Sequence, residues 1–341
     1  MRDGIIVGGN WIIDQIKIVD NYPEQEKLVT ILEEYSSNGG SAYNLLKGFS
    51  KLGAGFPLEA VGLLGYDERG QQIIEECNNL SIDTSQLRKT TATATSYTDV
   101  MSVQSTGKRT FFHQRGANAL LHEDHFDFSR SGAKIFHLGY LLLLDQLDQP
   151  DAQGVTGAAK VLKAASEKGF ITSADIVSEH SDRFSSIIPP SLPYIDYLFV
   201  NEFEAAMLTG IPTIDDAGQI HIKGCYEATS RIIGMGVRQW VILHFPEGVV
   251  AMSATGEKLY QPCLRVPAAK IAGAVGAGDA FAAGVLMGVH AHAPLQESLQ
   301  LGVCAAASSL FKATCSDGIL PAAQCLELAS QFGYREHPPG V

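Results

Sequence analysis

The amino-acid sequence predicts a three-layer α/β fold, with a mostly parallel central sheet flanked by helices and a small β-sheet lid. From about residue 133, short apolar runs alternate with helical patterns, as in parallel α/β sheets. Residues 11–36 and 92–117 depart from that rhythm, because their apolar and polar side chains alternate. A glycine-rich segment at residues 273–278 leads directly into an apolar helix.

Local patterns place the main elements in order along the chain. Short apolar runs predict buried strands, and longer periodic segments predict helices. The predicted strands cover residues 5–9, 59–64, 134–138, 170–174, 197–200 and 240–243, and the predicted helices cover residues 42–49, 71–77, 155–168, 202–208, 226–234, 280–287 and 295–311. Because no linker or internal repeat interrupts this order, we expect residues 1–341 to form a single domain.

The lid is predicted from residues 11–36 and 92–117. Alternation of apolar and polar side chains is typical of strands with one wet face. In the second segment, Gly107 and Lys108 predict the turn of a β-hairpin. Just after the first segment, the sequence SSNGGS at residues 36–41 predicts a turn that leads into a helix.

Composition excludes several classes of function. The formal net charge of −12 argues against binding to nucleic acids or to anionic membranes, both of which require clustered cations. None of the six cysteines forms a C-x-x-C pair, so zinc-finger and thioredoxin-like sites lack their spacing. The sequence also has no secretory signal pattern and no apolar stretch of membrane-spanning length. We therefore expect a cytoplasmic protein.

The segment GAVGAGDAF at residues 273–281 is the strongest chemical signal. Consecutive small residues let backbone N–H groups converge on a ligand, and a helix N-terminus adds unpaired donors and partial positive charge. Asp279 falls in the first turn, where its carboxylate could accept a proton beside bound phosphoryl oxygens. A glycine-rich turn followed by an aspartate that favours the helix dipole is the structural alternative. Phe281 stands where a dinucleotide fingerprint requires its third glycine, and no P-loop motif is present.

Further segments, in the same order along the chain, resemble the ribokinase/PfkB family of carbohydrate kinases. The resemblance extends from about residue 5 to 320 and rests on a set of ordered motifs rather than on a single one. These motifs are GAGDAF at 276–281, NGGSAYN at 38–44, GLLGYDERG at 62–70, GKRT at 107–110, GAN at 116–118 and NEFE at 201–204.

This resemblance implies ATP-dependent phosphorylation of a sugar hydroxyl and gives roles to individual residues. Asp279 corresponds to the catalytic base, and Gly276, Ala277 and Gly278 correspond to an anion hole. The resemblance also implies a homodimer formed through the lid. The implied substrate residues are Asp14, Gly39, Gly40, Asn44 and Arg109, the implied nucleotide residues are Asn201, Glu204 and Gly248, and Glu204 is implied to organise Mg²⁺ through water.

Each of these positions also has a structural explanation, and several neighbours depart from the family pattern. Asp14 could be an exposed charge on an edge strand, Glu204 a solvated helix residue, and Arg109 a surface charge. The departures lie on the nucleotide side, at Gly273, Ala274, Phe245 and the stretch 175–177. One alternative is therefore a sugar-binding sensor that has lost productive ATP binding. The other is a nucleoside kinase of the same family, which a bulky apolar patch in the lid, at Trp11 and Phe112, would favour.

Overall fold

The computed structural model describes residues 2–337, which form thirteen strands and nine helices. The strands are β1 (Ile5–Gly9), β2 (Ile12–Val19), β3 (Ile31–Gly39), β4 (Leu58–Gly65), β5 (Asp83–Thr90), β6 (Tyr97–Val103), β7 (Arg109–Gln114), β8 (Ile135–Leu141), β9 (Ile171–Ile176), β10 (Tyr197–Asn201), β11 (Trp240–Phe245), β12 (Gly248–Ser253) and β13 (Lys258–Pro262). The helices are α1 (Ser41–Leu52), α2 (Glu68–Asn79), α3 (Gly157–Glu167), α4 (Phe184–Ile187), α5 (Glu202–Thr209), α6 (Ile222–Gly234), α7 (Ala277–His290), α8 (Leu295–Ser309) and α9 (Ala322–Phe332).

Nine strands form the large sheet, in the order β13-β12-β11-β10-β9-β8-β1-β4-β5. The seven strands from β11 to β5 run parallel, and β12 is antiparallel to both of its neighbours, β11 and β13. Strands β4 and β5 are added on one side of β1, and the later strands β8 to β11 are added in order on its other side. The strand order therefore reverses between β1 and β8, where a crevice opens at the carboxyl ends of parallel strands.

Two hydrophobic cores cover the two faces of this sheet. Because successive side chains of a strand point to opposite faces, Leu198 and Val200 of β10 join one core, and Phe199 joins the other. Helices α3, α5 and α6 pack in the first core, and helices α1, α2, α7, α8 and α9 pack in the second. The predicted three-layer arrangement is thus confirmed. Over residues 2–337, no helix combines the length and the apolar character that crossing a bilayer requires.

The other four strands form a separate small sheet, in the order β3-β2-β6-β7. The predicted hairpin is confirmed, because β6 and β7 pair in antiparallel register on either side of Gly107. The predicted turn at residues 36–41 is wrong over most of its length. Residues 36–39 pair with β2 as the end of β3, which satisfies their backbone groups, and the bend is confined to Gly40 with φ +81°.

Asp67 connects the small sheet to the helical layer beside the large sheet. Its side chain caps α2 by accepting a hydrogen bond from the Gly70 N–H at 2.8 Å. It also accepts bonds from the backbone N–H and the hydroxyl of Thr95, both at 2.7 Å. Thr95 lies just before β6, so one carboxylate fixes the point at which the chain enters the small sheet.

We predict that Asp67→Ala lowers the free energy of unfolding by about 2–3 kcal/mol, because it removes a helix cap and leaves buried donors without a partner. Urea denaturation followed by circular dichroism measures the change. Asp216→Ala, at an exposed position, is the matched control and should stay within about 0.5 kcal/mol of the parent protein. Equal stabilities for the two variants would contradict the assigned role of Asp67.

Candidate functional site

A cavity of about 660 Å³ lies between the small sheet and the carboxyl ends of the parallel strands. The large sheet contributes polar side chains from the ends of four neighbouring strands, and the small sheet contributes the opposite wall. The N-terminus of α7 forms the floor. The lining residues used below are Tyr140, Asp175, Asn201, Glu204 and His244 on the first wall, Asp14, Thr98, Phe111 and His113 on the second, and Gly276, Gly278 and Asp279 on the floor.

The N-terminus of α7 presents free backbone donors to the cavity. Gly276 precedes the helix with φ +73°, and no side chain caps the helix. A Cβ at this residue would lie 2.6 Å from the carbonyl oxygen of Cys315, so only glycine fits here. Within residues 2–337, the N–H groups of Gly276 and Gly278 have no hydrogen-bond partner, whereas the N–H of Ala277 lies 3.4 Å from the Ala274 carbonyl oxygen. Free donors and the helix dipole together favour an anion at this point.

The carboxylate of Asp279 lies beside these donors and is buried. Its Oδ2 accepts a hydrogen bond from Nδ2 of Asn44 at 2.7 Å. The hydroxyl of Tyr140 lies 2.8 Å from both of its oxygens. Burial, with a further contribution from the negative charge of Asp175, raises the pKa of Asp279, while the bonds from Asn44 and Tyr140 oppose that rise.

A chain of buried polar groups fixes the orientation of Asn44. Oδ1 of Asn44 accepts a bond from Nδ2 of Asn38 at 2.6 Å, so its amide nitrogen faces Asp279. Oδ1 of Asn38 in turn accepts bonds from Lys47 and Ser316, both at 2.9 Å. Lys47 also forms ion pairs with Glu76 and Asp317, so the network joins α1, α2 and the segment after α8. Asn44 is therefore already bonded at both ends of its amide.

Asp14 lies on β2, which is an inner strand of the small sheet, and its side chain is buried. The structural alternative of an exposed charge on an edge strand is therefore wrong. Gly39 lies so close that a Cβ there would overlap the Asp14 carboxylate. The Cys315 thiol lies 3.6 Å from Oδ2. Burial raises the pKa of Asp14 to about 7. Gly40, next to Gly39, also lines the cavity.

Asn201 and Glu204 begin α5 as a reciprocal capping box. The side chain of Asn201 accepts from the Glu204 N–H, and Glu204 accepts from the Asn201 N–H, both at 2.8 Å. Glu204 also accepts a bond from the Ser178 hydroxyl at 2.7 Å, and it is 4% exposed. The alternative that Glu204 is a solvated helix residue is therefore wrong. Burial raises the pKa of Glu204 to about 8.

Four of the predicted site residues lie outside the cavity lining, namely Gly39, Arg109, Gly248 and Ala277. Gly39 and Ala277 are next in the chain to the lining residues Gly40, Gly276 and Gly278. Gly248 is buried in β12, where it pairs with Phe245 across a tight hairpin and approaches the Tyr260 hydroxyl. Arg109 lies on β7, on the same face of the strand as Phe111 and His113, but farther from Asp279 along the sheet.

Sequence reasoning did not assign several cavity residues to the site. Tyr140, Asp175 and His244 stand at the ends of β8, β9 and β11, so their position after buried strands was an available signal. Asp175 accepts a bond from the Ser41 hydroxyl at 2.7 Å, and its other oxygen is buried with no partner among the described residues. His113 and Thr98 are bonded across the small sheet at 3.0 Å. Such contacts depend on register, which the sequence alone does not give.

We predict that Asp14→Asn stabilises the protein more at pH 8 than at pH 5. A carboxyl group whose pKa is raised in the folded state stabilises it below the unfolded pKa, and this contribution is lost as the pH rises towards 7. The amide of asparagine carries no charge that burial could penalise. Differential scanning calorimetry should show a gain in Tm that is about 2–4 °C larger at pH 8. Asp216→Asn, at an exposed site, should change Tm equally at both pH values, and equal changes for Asp14→Asn would contradict the burial argument.

Comparison with known proteins agrees with this architecture. The family model for "pfkB family carbohydrate kinase" matches residues 3–323. Ribokinase of Arabidopsis thaliana is 27% identical over 298 residues, covering 84% of this chain and 72% of the relative. Cytidine kinase of Thermococcus kodakarensis is 31% identical over 109 residues, covering 32% of this chain and 34% of the relative.

The fold is shared with solved ribokinases. The structure of Arabidopsis thaliana ribokinase complexed with ribose and ATP superposes with a TM-score of 0.76 at 23% identity, covering 96% of this chain and 99% of that one. The resemblance found in the sequence motifs is therefore confirmed. Because the family model spans nearly the whole sequence, this chain belongs to the pfkB family of carbohydrate kinases, enzymes that transfer a phosphoryl group to a hydroxyl group.

Proposed function

We propose that this protein transfers the γ-phosphoryl group of ATP to a hydroxyl of a sugar or sugar-like polyol. The observation that carries the proposal is the position of Asp279, whose buried carboxylate adjoins the unpaired amides of Gly276 and Gly278. Phosphoryl transfer requires mainly positioning and charge stabilisation. A base and a set of anion donors on one helix turn would supply both.

The acceptor would bind between the small sheet and α1. A buried carboxylate at Asp14 can accept hydrogen bonds from sugar hydroxyls, and the lack of side chains at Gly39 and Gly40 leaves room for a sugar against the backbone. Asn44 would hold Asp279 and adjust its amide when the substrate enters. Arg109 would contact the acceptor only if the small sheet closes. We propose that this sheet acts as a lid that excludes water, the competing phosphoryl acceptor.

The nucleotide would lie along the ends of β9 to β11, with its phosphates directed at α7. Ribokinase of Arabidopsis thaliana has been solved with ATP, which supports ATP as the donor. Asn201 lines this part of the cavity. Glu204 fits a hydrated Mg²⁺, because it is a buried carboxylate without a cationic partner among the described residues. When bound, Mg²⁺ neutralises charge on the transferring phosphates.

In the reaction, Asp279 takes the proton of the acceptor hydroxyl as that oxygen attacks the γ-phosphorus atom. The new O–P bond forms while the bond to the ADP oxygen breaks. Negative charge on the transferring oxygens is stabilised by the backbone amides of Gly276, Ala277 and Gly278. To take part, the Ala277 N–H would have to turn away from the Ala274 carbonyl oxygen, which lies 3.4 Å from it. Asp279 holds the proton after the transfer and then releases it to solvent.

We also propose that the protein is a cytoplasmic homodimer that associates through the small sheet. Exposed apolar side chains on this sheet support the proposal, since such groups commonly mark an interaction surface. They are Ile31, Leu32 and Phe112, each 44–52% exposed. Sedimentation equilibrium tests the association. A monomer at micromolar concentration would contradict it.

Two alternatives remain distinguishable by experiment. A sugar-binding sensor is favoured by the departures from the family pattern at Gly273, Ala274 and Phe245. A nucleoside kinase is favoured by the local similarity to cytidine kinase and by the Phe111 ring at the cavity. Isothermal titration calorimetry with ATP and Mg²⁺ separates the sensor, which would show no nucleotide binding, from both kinases.

We predict that Asp279→Asn lowers kcat by at least about a hundredfold, because the amide cannot accept the hydroxyl proton. A coupled ADP-release assay over sugars, sugar acids and nucleosides measures the effect on the best acceptor. Asp216→Asn is the control with the same chemical change at an exposed site, and it should keep the parent rate. Equal turnover by Asp279→Asn and the parent protein would refute the assignment of the base.

A further inference from the structure

The hydroxyl of Tyr140 bridges the two carboxylate oxygens of Asp279. Its oxygen lies 2.8 Å from Oδ1 and 2.8 Å from Oδ2, so a single O–H is shared between them. The contact joins β8 to α7 across 139 residues of sequence. The other fixed donor to this carboxylate is Asn44, which reaches Oδ2 from α1. Both donors belong to rigid elements of the large-sheet body.

We propose that Tyr140 is a positioning residue, which orients the Asp279 carboxylate and keeps it ionised and ready to accept the substrate proton. The inference rests on the proposed role of Asp279 as the base. A carboxylate offers about four acceptor positions. The shared bond from Tyr140 and the bond from Asn44 occupy the side of the group that faces β8 and α1. An acceptor position on Oδ1 stays available to a substrate hydroxyl.

The position of Tyr140 follows from the packing at the end of β8. The preceding residue, Gly139, lies against Ser41 and Asp175 so closely that any side chain there would overlap both. This close approach brings β8 next to α1 and β9. Tyr140, the next residue, then points into the cavity and reaches α7.

The electrostatic surroundings explain why the carboxylate needs such a donor. Burial disfavours its charged form, and the nearby carboxylates of Asp175 and Asp14 disfavour it further. A hydrogen bond to the charged form acts in the opposite direction. The polar and titratable groups that face Asp279 are Tyr140 on β8, Asn44 on α1, Asp175 on β9, Asp14 on β2, His244 on β11 and Cys315 in the segment after α8. None of these groups is a lysine or an arginine. The bonds from the neutral donors Asn44 and Tyr140 therefore oppose the rise in the pKa of Asp279 that Asp175 and Asp14 cause.

The test compares Tyr140→Phe with the parent protein by two independent readouts. The first is the pKa of Asp279 in the substrate-free protein, measured by ¹³C NMR of aspartate-labelled samples, with the signal assigned through Asp279→Asn. We expect the pKa to rise by about one unit or more, because a donor to the charged form is lost. This measurement does not depend on turnover, so it remains decisive if the proposed kinase activity fails.

The second readout is the pH profile of kcat on the best acceptor. We expect kcat of Tyr140→Phe to fall about tenfold at pH 7, with its acid limb shifted upwards, and to recover towards the parent value at higher pH. Tyr260→Phe is the matched control, since its buried hydroxyl has no partner in the described chain and Tyr260 does not line the cavity. The proposal is overturned by an unchanged Asp279 pKa, by a pH-independent loss of kcat, or by a lower KM at unchanged kcat. The last result would show that Tyr140 merely occupies the place of the substrate hydroxyl.

Discussion

The structure of the cavity depends on one feature, the N-terminus of α7, which opens onto the cavity and has no capping side chain among residues 2–337. Gly276 makes this possible, because its left-handed backbone and its approach to Cys315 leave no space for a capping residue. The free amides create a local excess of positive potential in a strongly acidic protein. Asp279 is buried one turn further along the same helix. An anion site and a carboxylate are thereby placed side by side without any basic side chain between them.

The remaining walls of the cavity carry an excess of negative charge. Asp14, Asp175, Glu204 and Asp279 are all buried, and burial dominates the raised pKa of three of them, Asp14, Glu204 and Asp279. Arg115, which lines the cavity, forms an ion pair with Asp145, with 2.7 Å between Nη1 and Oδ1. Such a cavity suits a neutral polyol that donates hydrogen bonds and a nucleotide that arrives with its own cation. It is poorly suited to an acceptor that is itself an anion, except beside the amides of α7.

The main fold was predictable because its inner parallel strands are buried on both faces and therefore appear as continuous apolar runs. The pattern fails at β5, an edge strand with the polar sequence DTSQLRKT, in which only Gln86 and Leu87 are buried. The strands β12 and β13 were also not predicted, although β12 is buried along its whole length. Asp279 was found because its motif is local. Tyr140 was not assigned to the site, although its position at the end of a buried strand was a signal. Its contact with Asp279 could not be predicted, because the two residues are 139 positions apart in the chain.

The site is assembled from distant parts of the chain, since its polar groups come from both sheets and from α1, α5 and α7. A molecule that touches Asp14 and Gly276 together must bridge the small sheet and the helical layer. Its binding then stabilises the folded chain by an amount that depends on its concentration relative to its Kd. Thermal or proteolytic resistance of the intact chain should consequently report occupancy of the cavity, and a ligand can be recognised by this protective effect before its chemical fate is known.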